Sequence, residues 1–489
     1  MKTGATLLGV ILVAVLVNCS VEAIGRRNSL YLNSFITKPN ATYIIDKEYS
    51  LGGERFEMPQ NCTIVFRNKG RLRDGELVGK ETMIRCERNS LGIILSGTWR
   101  VDSIKDEWFD ANMLNDNEIL NNINTLQCDT IEQTITLRKP LYYFQIEDEK
   151  GSGLVLSSNT VLDFQGSTLR LKTNNLASYN IISIKGKKNI TVKGGKIVGD
   201  VVAHSNAFDE KSEWGNGVTI ENSEKISITD LHITHCWGDG IYVGGGAEKE
   251  IGRYDRASKS VVLKNVICDD NRRQGISITH VDGLLADHCS FINTGVTKKV
   301  SPAAGVDVEP NLSKGRNQSC RNMRFESCVM RGNKGKAFTI YQSLTLDGVN
   351  NVENIYIFDC DIEGRITFCC PGIAVEESRI NALLTIRTYG SPVGVTFKDC
   401  QITSDNVKID MAPKLENVIP SYDVTFQDCD VKIKKIKDAL PAIAGDNRIR
   451  IEFVNSEVSM PKGLSKQIKQ NQTGFDAKVT MKASNVTYK

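Results

Sequence analysis

A short strand motif in the middle of this 489-residue chain returns with chemistry-bearing side chains at fixed offsets. It reads Trp214-Gly-Asn-Gly-Val-Thr-Ile-Glu221, then Trp237-Gly-Asp-Gly-Ile-Tyr-Val-Gly244, Arg272-Arg-Gln-Gly-Ile-Ser-Ile-Thr279, Pro302-Ala-Ala-Gly-Val-Asp-Val-Glu309 and Lys334-Gly-Lys-Ala-Phe-Thr-Ile-Tyr341. Aligning Gly217, Gly240, Gly275, Gly305 and Ala337 puts a tight bend in one column, where a side chain would crowd its neighbour. Val218/Ile220, Ile241/Val243, Ile276/Ile278, Val306/Val308 and Phe338/Ile340 then point inward. The remaining columns point outward. They gather the carboxylates Asp239, Asp307 and Glu309, the aromatics Trp214, Trp237, Tyr242 and Tyr341, and the bases Arg272, Arg273 and Lys336. His204 and His280 flank this patch.

Carboxylate pairs of this kind suit glycoside hydrolysis, where the separation sets the outcome, about 5 Å for retention and 6.5–9.5 Å for inversion. Asp307 and Glu309, i and i+2 on one face, lie roughly 6–7 Å apart along a strand. Copies stack about 4.8 Å apart, so Asp239 is about 9–10 Å from them. Both spacings suit an inverting pair. The rival chemistry is β-elimination or epimerisation of a uronic acid polymer, with a base and a charge neutraliser drawn from Arg272, Arg273, Lys334, Lys336, Tyr242, Tyr341 and His280. A non-catalytic glycan binder is the third reading and needs only the aromatic platforms. Without a clear Asp cluster for calcium, no metal and no cofactor is expected.

The elements that hold these residues follow from a second repeat. Ile226-Ser-Ile-Thr-Asp-Leu-His-Ile233, Met323-Arg-Phe-Glu-Ser-Cys328, Ile355-Tyr-Ile-Phe-Asp-Cys360, Val395-Thr-Phe-Lys-Asp-Cys400 and Val424-Thr-Phe-Gln-Asp-Cys429 alternate apolar and polar residues with period two. Each is a short strand, and their recurrence makes the fold an all-β solenoid whose copies bury their apolar faces on one another. Cys289, Cys328, Cys360, Cys400 and Cys429 share one slot, which predicts an internal ladder of free thiols rather than disulfides or metal ligands. Ile119, Leu120, Ile123 and Leu126 fall at helical spacing, predicting a short capping helix near 115–126 over an otherwise open sheet edge.

The expected organisation is a signal peptide at 1–23, N-terminal coils and cap at 24–150, a solenoid with the groove at 151–460, and a C-terminal cap at 461–489. The apolar run Leu7–Val17 is short for a membrane span, which needs about 20 residues, and Val21-Glu22-Ala23 fits signal cleavage. Leu16-Val-Asn-Cys19 also fits a lipobox, which would make Cys19 a lipid anchor. Either way the protein is expected to be exported, whether periplasmic, cell-surface or extracellular, with no integral span. Net charge is +3, with no basic stripe, which argues against nucleic acid as partner. The expected partner is a polysaccharide, with oligomeric state left open.

The ordered motifs Glu213-Trp-Gly-Asn-Gly, Cys236-Trp-Gly-Asp-Gly-Ile-Tyr, Asn271-Arg-Arg-Gln-Gly-Ile-Ser and Ala304-Gly-Val-Asp-Val-Glu-Pro-Asn311 resemble right-handed parallel β-helix proteins of the pectin-lyase-like superfamily. The branch they are most similar to holds phage tailspike-type depolymerases and secreted bacterial β-helix proteins. The resemblance implies a right-handed parallel β-helix and a carbohydrate-active protein. The superfamily includes hydrolases, lyases, epimerases and binders, so it does not choose a reaction. The Asn-Thr-Asp, Gly-His-Gly and Arg-Ile-Lys motifs of polygalacturonases are absent, which argues against a pectin substrate.

Overall fold

The computed structural model describes residues 32, 34–205, 212–245, 256–311, 318–341, 350–388, 393–405, 407–411, 421–434, 448–460, 476–482 and 484–488. The candidate signal at 1–23, Cys19 and the candidate cap between 461 and 472 lie outside the described residues. The chain divides into two compact units, one ending at Lys139 and one beginning at Pro140.

In the first unit, strands Thr42–Ile45, Thr63–Phe66, Arg71–Arg85 and Leu91–Arg100 pair in parallel. Helix α1, Asp116–Leu126, begins with a capping box. The Asn115 side chain accepts from the Glu118 N–H at 3.1 Å, and Glu118 accepts from the Asn115 N–H at 2.8 Å. Ile119, Leu120, Ile123 and Leu126 are buried, as their spacing requires. Asn122 lies among them and does what the periodicity could not announce. Its Oδ1 accepts from the Leu95 N–H at 2.8 Å and its Nδ2 donates to the Ile93 carbonyl at 2.9 Å. A helix side chain thus stands in for a neighbouring strand along Leu91–Arg100.

The second unit is a right-handed parallel β-helix, its coils joined through parallel sheets. The strands that carry the candidate site are β1 (Asn216–Glu221), β2 (Asp239–Gly244), β3 (Gln274–Ile278), β4 (Ala304–Val308) and β5 (Phe338–Ile340). Their register is the one the glycine alignment gives, with Val218 beside Ile241, Ile276, Val306 and Phe338 in turn. The inward residues of all five strands are fully buried. Gly240 belongs to the bend column because a Cβ there would sit 2.7 Å from the Gly275 carbonyl oxygen and from Asn271 Nδ2.

The second repeat has an equally local cause. His288, Ser327, Asp359, Asp399 and Asp428 take φ of 53, 50, 50, 52 and 54°. Asp and Asn tolerate this left-handed corner better than most residues, hence the Asp/Asn/Ser slot. The next residue turns into the core and is cysteine. Each thiol donates to a carbonyl one coil earlier, Cys289 to Leu263 at 3.5 Å, Cys328 to Ala286 at 3.3 Å, Cys360 to Phe325 at 3.4 Å, Cys400 to Val375 at 3.4 Å and Cys429 to Phe397 at 3.5 Å. These cysteines are free. Ser378 and Ser456 fill the same slot in other coils, with the Cys360 N–H donating to Ser378 Oγ at 3.0 Å. The slot therefore selects a small side chain with one hydrogen to give. Cys360→Ser is expected to cost about 1 kcal/mol, and Cys360→Leu about 1–3 kcal/mol through overpacking. Urea melts of the two variants, read for the order of their midpoints, check this.

Candidate functional site

The outer face of β1–β5 is a close-packed polar layer, not an open sheet. Asn216, Thr219, Asp239, Gln274, Ser277, Asp307 and Thr339 are all buried. The bend at the glycine column turns residues i and i+3 to the same outer side, so their side chains meet. Asn216 Nδ2 donates to Thr219 Oγ1 at 3.2 Å, Thr219 Oγ1 to Asn180 Oδ1 at 2.5 Å, and Lys336 Nζ to Thr339 Oγ1 at 3.3 Å. Longer side chains, Tyr242, Arg273, Lys336 and Tyr341, lie half-buried around these short ones.

Arg273 is the hub of the carboxylates. Its Nη1 donates to both oxygens of Asp239, at 3.1 and 3.3 Å, and its Nη2 pairs with Glu213 at 3.1 Å. Burial raises Asp239 to about 6 against the opposing pull of Arg273. Two coils on, Asp307 receives a hydrogen bond from Gln274 Nε2. Burial, reinforced by the charge of Glu309, raises Asp307 to about 8, so its carboxyl holds a proton at neutral pH. Glu309 is exposed by surface area, yet its protein surroundings shield enough water to raise it too. Lys336 Nζ donates to the Tyr341 hydroxyl and lies 4.2 Å from the centre of that ring.

Three of the eleven buried polar atoms without partners among the described residues lie at this place. Asp307 Oδ1, Gln274 Oε1 and Arg273 Nε are buried and unbonded. Natural proteins satisfy nearly all such atoms, so each of these exceptions calls for a reason.

Several expected contacts are corrected. Trp237 is only 3% exposed. The His204 ring stacks 3.8 Å from its centre and the Arg272 guanidinium carbon sits 3.5 Å from it, so they occupy opposite faces. No face remains for a sugar. Arg272 is buried and donates to the carbonyls of Trp237, at 2.6 Å from Nε, and of Ser212. It fastens the segment leading into Glu213 and Trp214. His204 is buried, its Nδ1 2.9 Å from Asp200 Oδ2, and Asp200 also accepts from the Tyr179 hydroxyl at 2.5 Å. His280 is buried and accepts from the Ser319 N–H at 2.9 Å, which makes it a loop anchor. Tyr242 bonds Thr279 at 2.8 Å. Trp214, by contrast, is 59% exposed beside Glu213. Glu213 and Gln274 stood inside the motifs, but only the fold reveals Arg273 spanning two coils to reach both Glu213 and Asp239.

Fold and site together define a right-handed parallel β-helix protein with a cluster of carboxylates on one sheet. Residues 141–313 match the family described as right handed beta helix region. The SPbeta prophage-derived uncharacterized protein YorA of Bacillus subtilis strain 168 is 25% identical over 276 residues, 54% of this chain and 46% of that protein. The uncharacterized protein YclG of the same organism is 27% identical over 164 residues, 33% of this chain and 28% of that protein. The chain spans less than half the length of these curated relatives. Among solved structures, the tailspike protein gp49 of Acinetobacter baumannii bacteriophage Fri1, a capsular polysaccharide depolymerase, is similar at TM-score 0.45 and 13% identity, covering 78% of this chain and 63% of that one.

Proposed function

We propose that this protein is an exported glycoside hydrolase that cleaves a polysaccharide with inversion. The observation that supports this best is the unequal pair formed by Asp307 and Glu309. Asp307 is buried, protonated at neutral pH and carries an unbonded Oδ1, the condition of a general acid. Glu309, exposed to solvent, is the base that activates water. Residues i and i+2 of a strand stand roughly 6–7 Å apart, which suits inversion. Asp239, held by Arg273, sets the field on the acid and is the alternative base. Trp214 offers the face on which a sugar ring stacks.

A second reading rests on the Lys336–Tyr341 contact, since a lysine bonded to a phenol is a pair that proton abstraction in a lyase or epimerase can use. One assay separates the two. A polysaccharide panel is followed for new reducing ends and for absorbance of an unsaturated uronide, with the anomer of the first product read by NMR. Reducing ends without the absorbance, and an inverted anomer, are expected. The two signals together would transfer the chemistry to Lys336 and Tyr341.

A further inference from the structure

An acid at Asp307 is useful only if its proton sits on the oxygen that can pass it on. The two carboxyl oxygens have different surroundings. Oδ2 accepts from Gln274 Nε2, whereas Oδ1 has no partner. A protonated carboxyl carries one hydrogen, and the oxygen that receives an N–H serves as its carbonyl oxygen. The hydrogen is thereby left to Oδ1. Both residues are wholly buried, so water does not compete for the amide contact. Gln274 stands beside Ala304 in the register of β3 and β4. Ala304 puts only a methyl there, which leaves room for the longer side chain to reach Asp307, further along β4. The charged and titratable groups facing Asp307 are Glu309, Arg273, Lys336, Asp239 and the Cys320 thiol. These act on it through space, and among the described residues Gln274 alone bonds to its carboxyl.

We infer that Gln274 is the positioning residue of the acid: its amide N–H, by holding Asp307 Oδ2, keeps the transferable proton on Oδ1. This rests on the hydrolase reading of the same site. In that reaction the Oδ1 proton passes to the glycosidic oxygen, which keeps the electron pair of its breaking bond to carbon. Water attacks that carbon and gives its proton to Glu309. Negative charge meanwhile grows on Asp307, and an N–H bond to a carboxylate is stronger than one to a neutral carboxyl. The Gln274 contact therefore tightens as the proton departs.

Gln274→Met keeps the length of the side chain and removes the N–H. Gln274→Asn keeps an amide too short to reach, and serves if the first variant does not fold. Each is melted from about pH 5 to about pH 10, alone and combined with Asp307→Asn. The stability gained through Asp307→Asn grows with pH and levels off once folded Asp307 has lost its proton. The levelling pH therefore reads that group without any substrate. Loss of the N–H deprives the carboxylate of a donor and should move the levelling pH up by about one unit. On whichever of dextran, β-glucan, mannan, polygalacturonate or alginate is cleaved, kcat should fall by about tenfold or more. Its alkaline limb should move up with the levelling pH, while KM stays within about twofold. A levelling pH that does not move makes Gln274 a packing residue and overturns the inference. A downward move overturns it too, since Gln274 would then be accepting the acid's proton. So does an upward move with kcat unchanged. An upward move with none of the five polymers cleaved keeps the placement of the proton and overturns the hydrolase reading.

Discussion

Asp307→Asn should fold, lose about two to four orders of magnitude in turnover, and outlast the wild type in alkaline melts. The first loss is the usual contribution of a positioned acid. Asparagine matches the shape of the carboxyl and still accepts from Gln274, but has no acidic proton to give. The alkaline gain has a separate cause. The folded protein keeps a proton on Asp307 up to about pH 8, while an unfolded chain releases it near pH 3.9. The native state therefore binds more protons between those values, and stability falls as pH rises through that window. The variant lacks this slope and should be more stable at pH 9 by about 2–5 kcal/mol. Wild-type activity should decline above about pH 8 as the acid ionises. It should decline on the acid side as Glu309, itself raised, takes up a proton. Unchanged turnover in Asp307→Asn would remove it from the chemistry, and a flat difference in melting between pH 5 and 9 would deny its buried, protonated state.

What the sequence made legible was whatever repeats at short range. Glycine spacing set the register of β1–β5, because only a residue without Cβ fits where adjacent coils approach at Gly240. The Asp-Cys slot was visible because one corner conformation recurs, and α1 because its apolar residues return every three or four positions. The outer face was illegible for the opposite reason. Alternation assigns a side chain to a face but does not say whether that face is open, and Gln274 reaching Asp307 or Arg273 reaching Asp239 joins residues 33 and 34 positions apart. The fate of Trp237 was hidden most deeply, since its cover comes from the turn holding His204 on one side and from the following coil on the other.

That burial makes the two tryptophans of the motif opposites under mutation. Trp237→Ala should destabilise the fold by about 3–5 kcal/mol, as removal of a buried indole does. The loss should spread outward, because the indole is the surface on which Arg272 lies while holding the Trp237 and Ser212 carbonyls. Ser212 immediately precedes Glu213 and Trp214, so loosening it releases both residues. Arg272→Lys isolates this second effect. Lysine keeps the charge but loses the planar stack and the forked pair of donors. It should lower stability by about 1–3 kcal/mol and raise KM more than it lowers kcat, since what moves is the sugar platform and not the acid. If Trp237 were instead a stacking surface for the glycan, Trp237→Ala would melt like the wild type and lose affinity alone. Denaturation midpoints of Trp214→Ala and Trp237→Ala, measured side by side with their glycan affinities, decide between the two. The buried arrangement requires stability to fall in Trp237→Ala while affinity alone falls in Trp214→Ala.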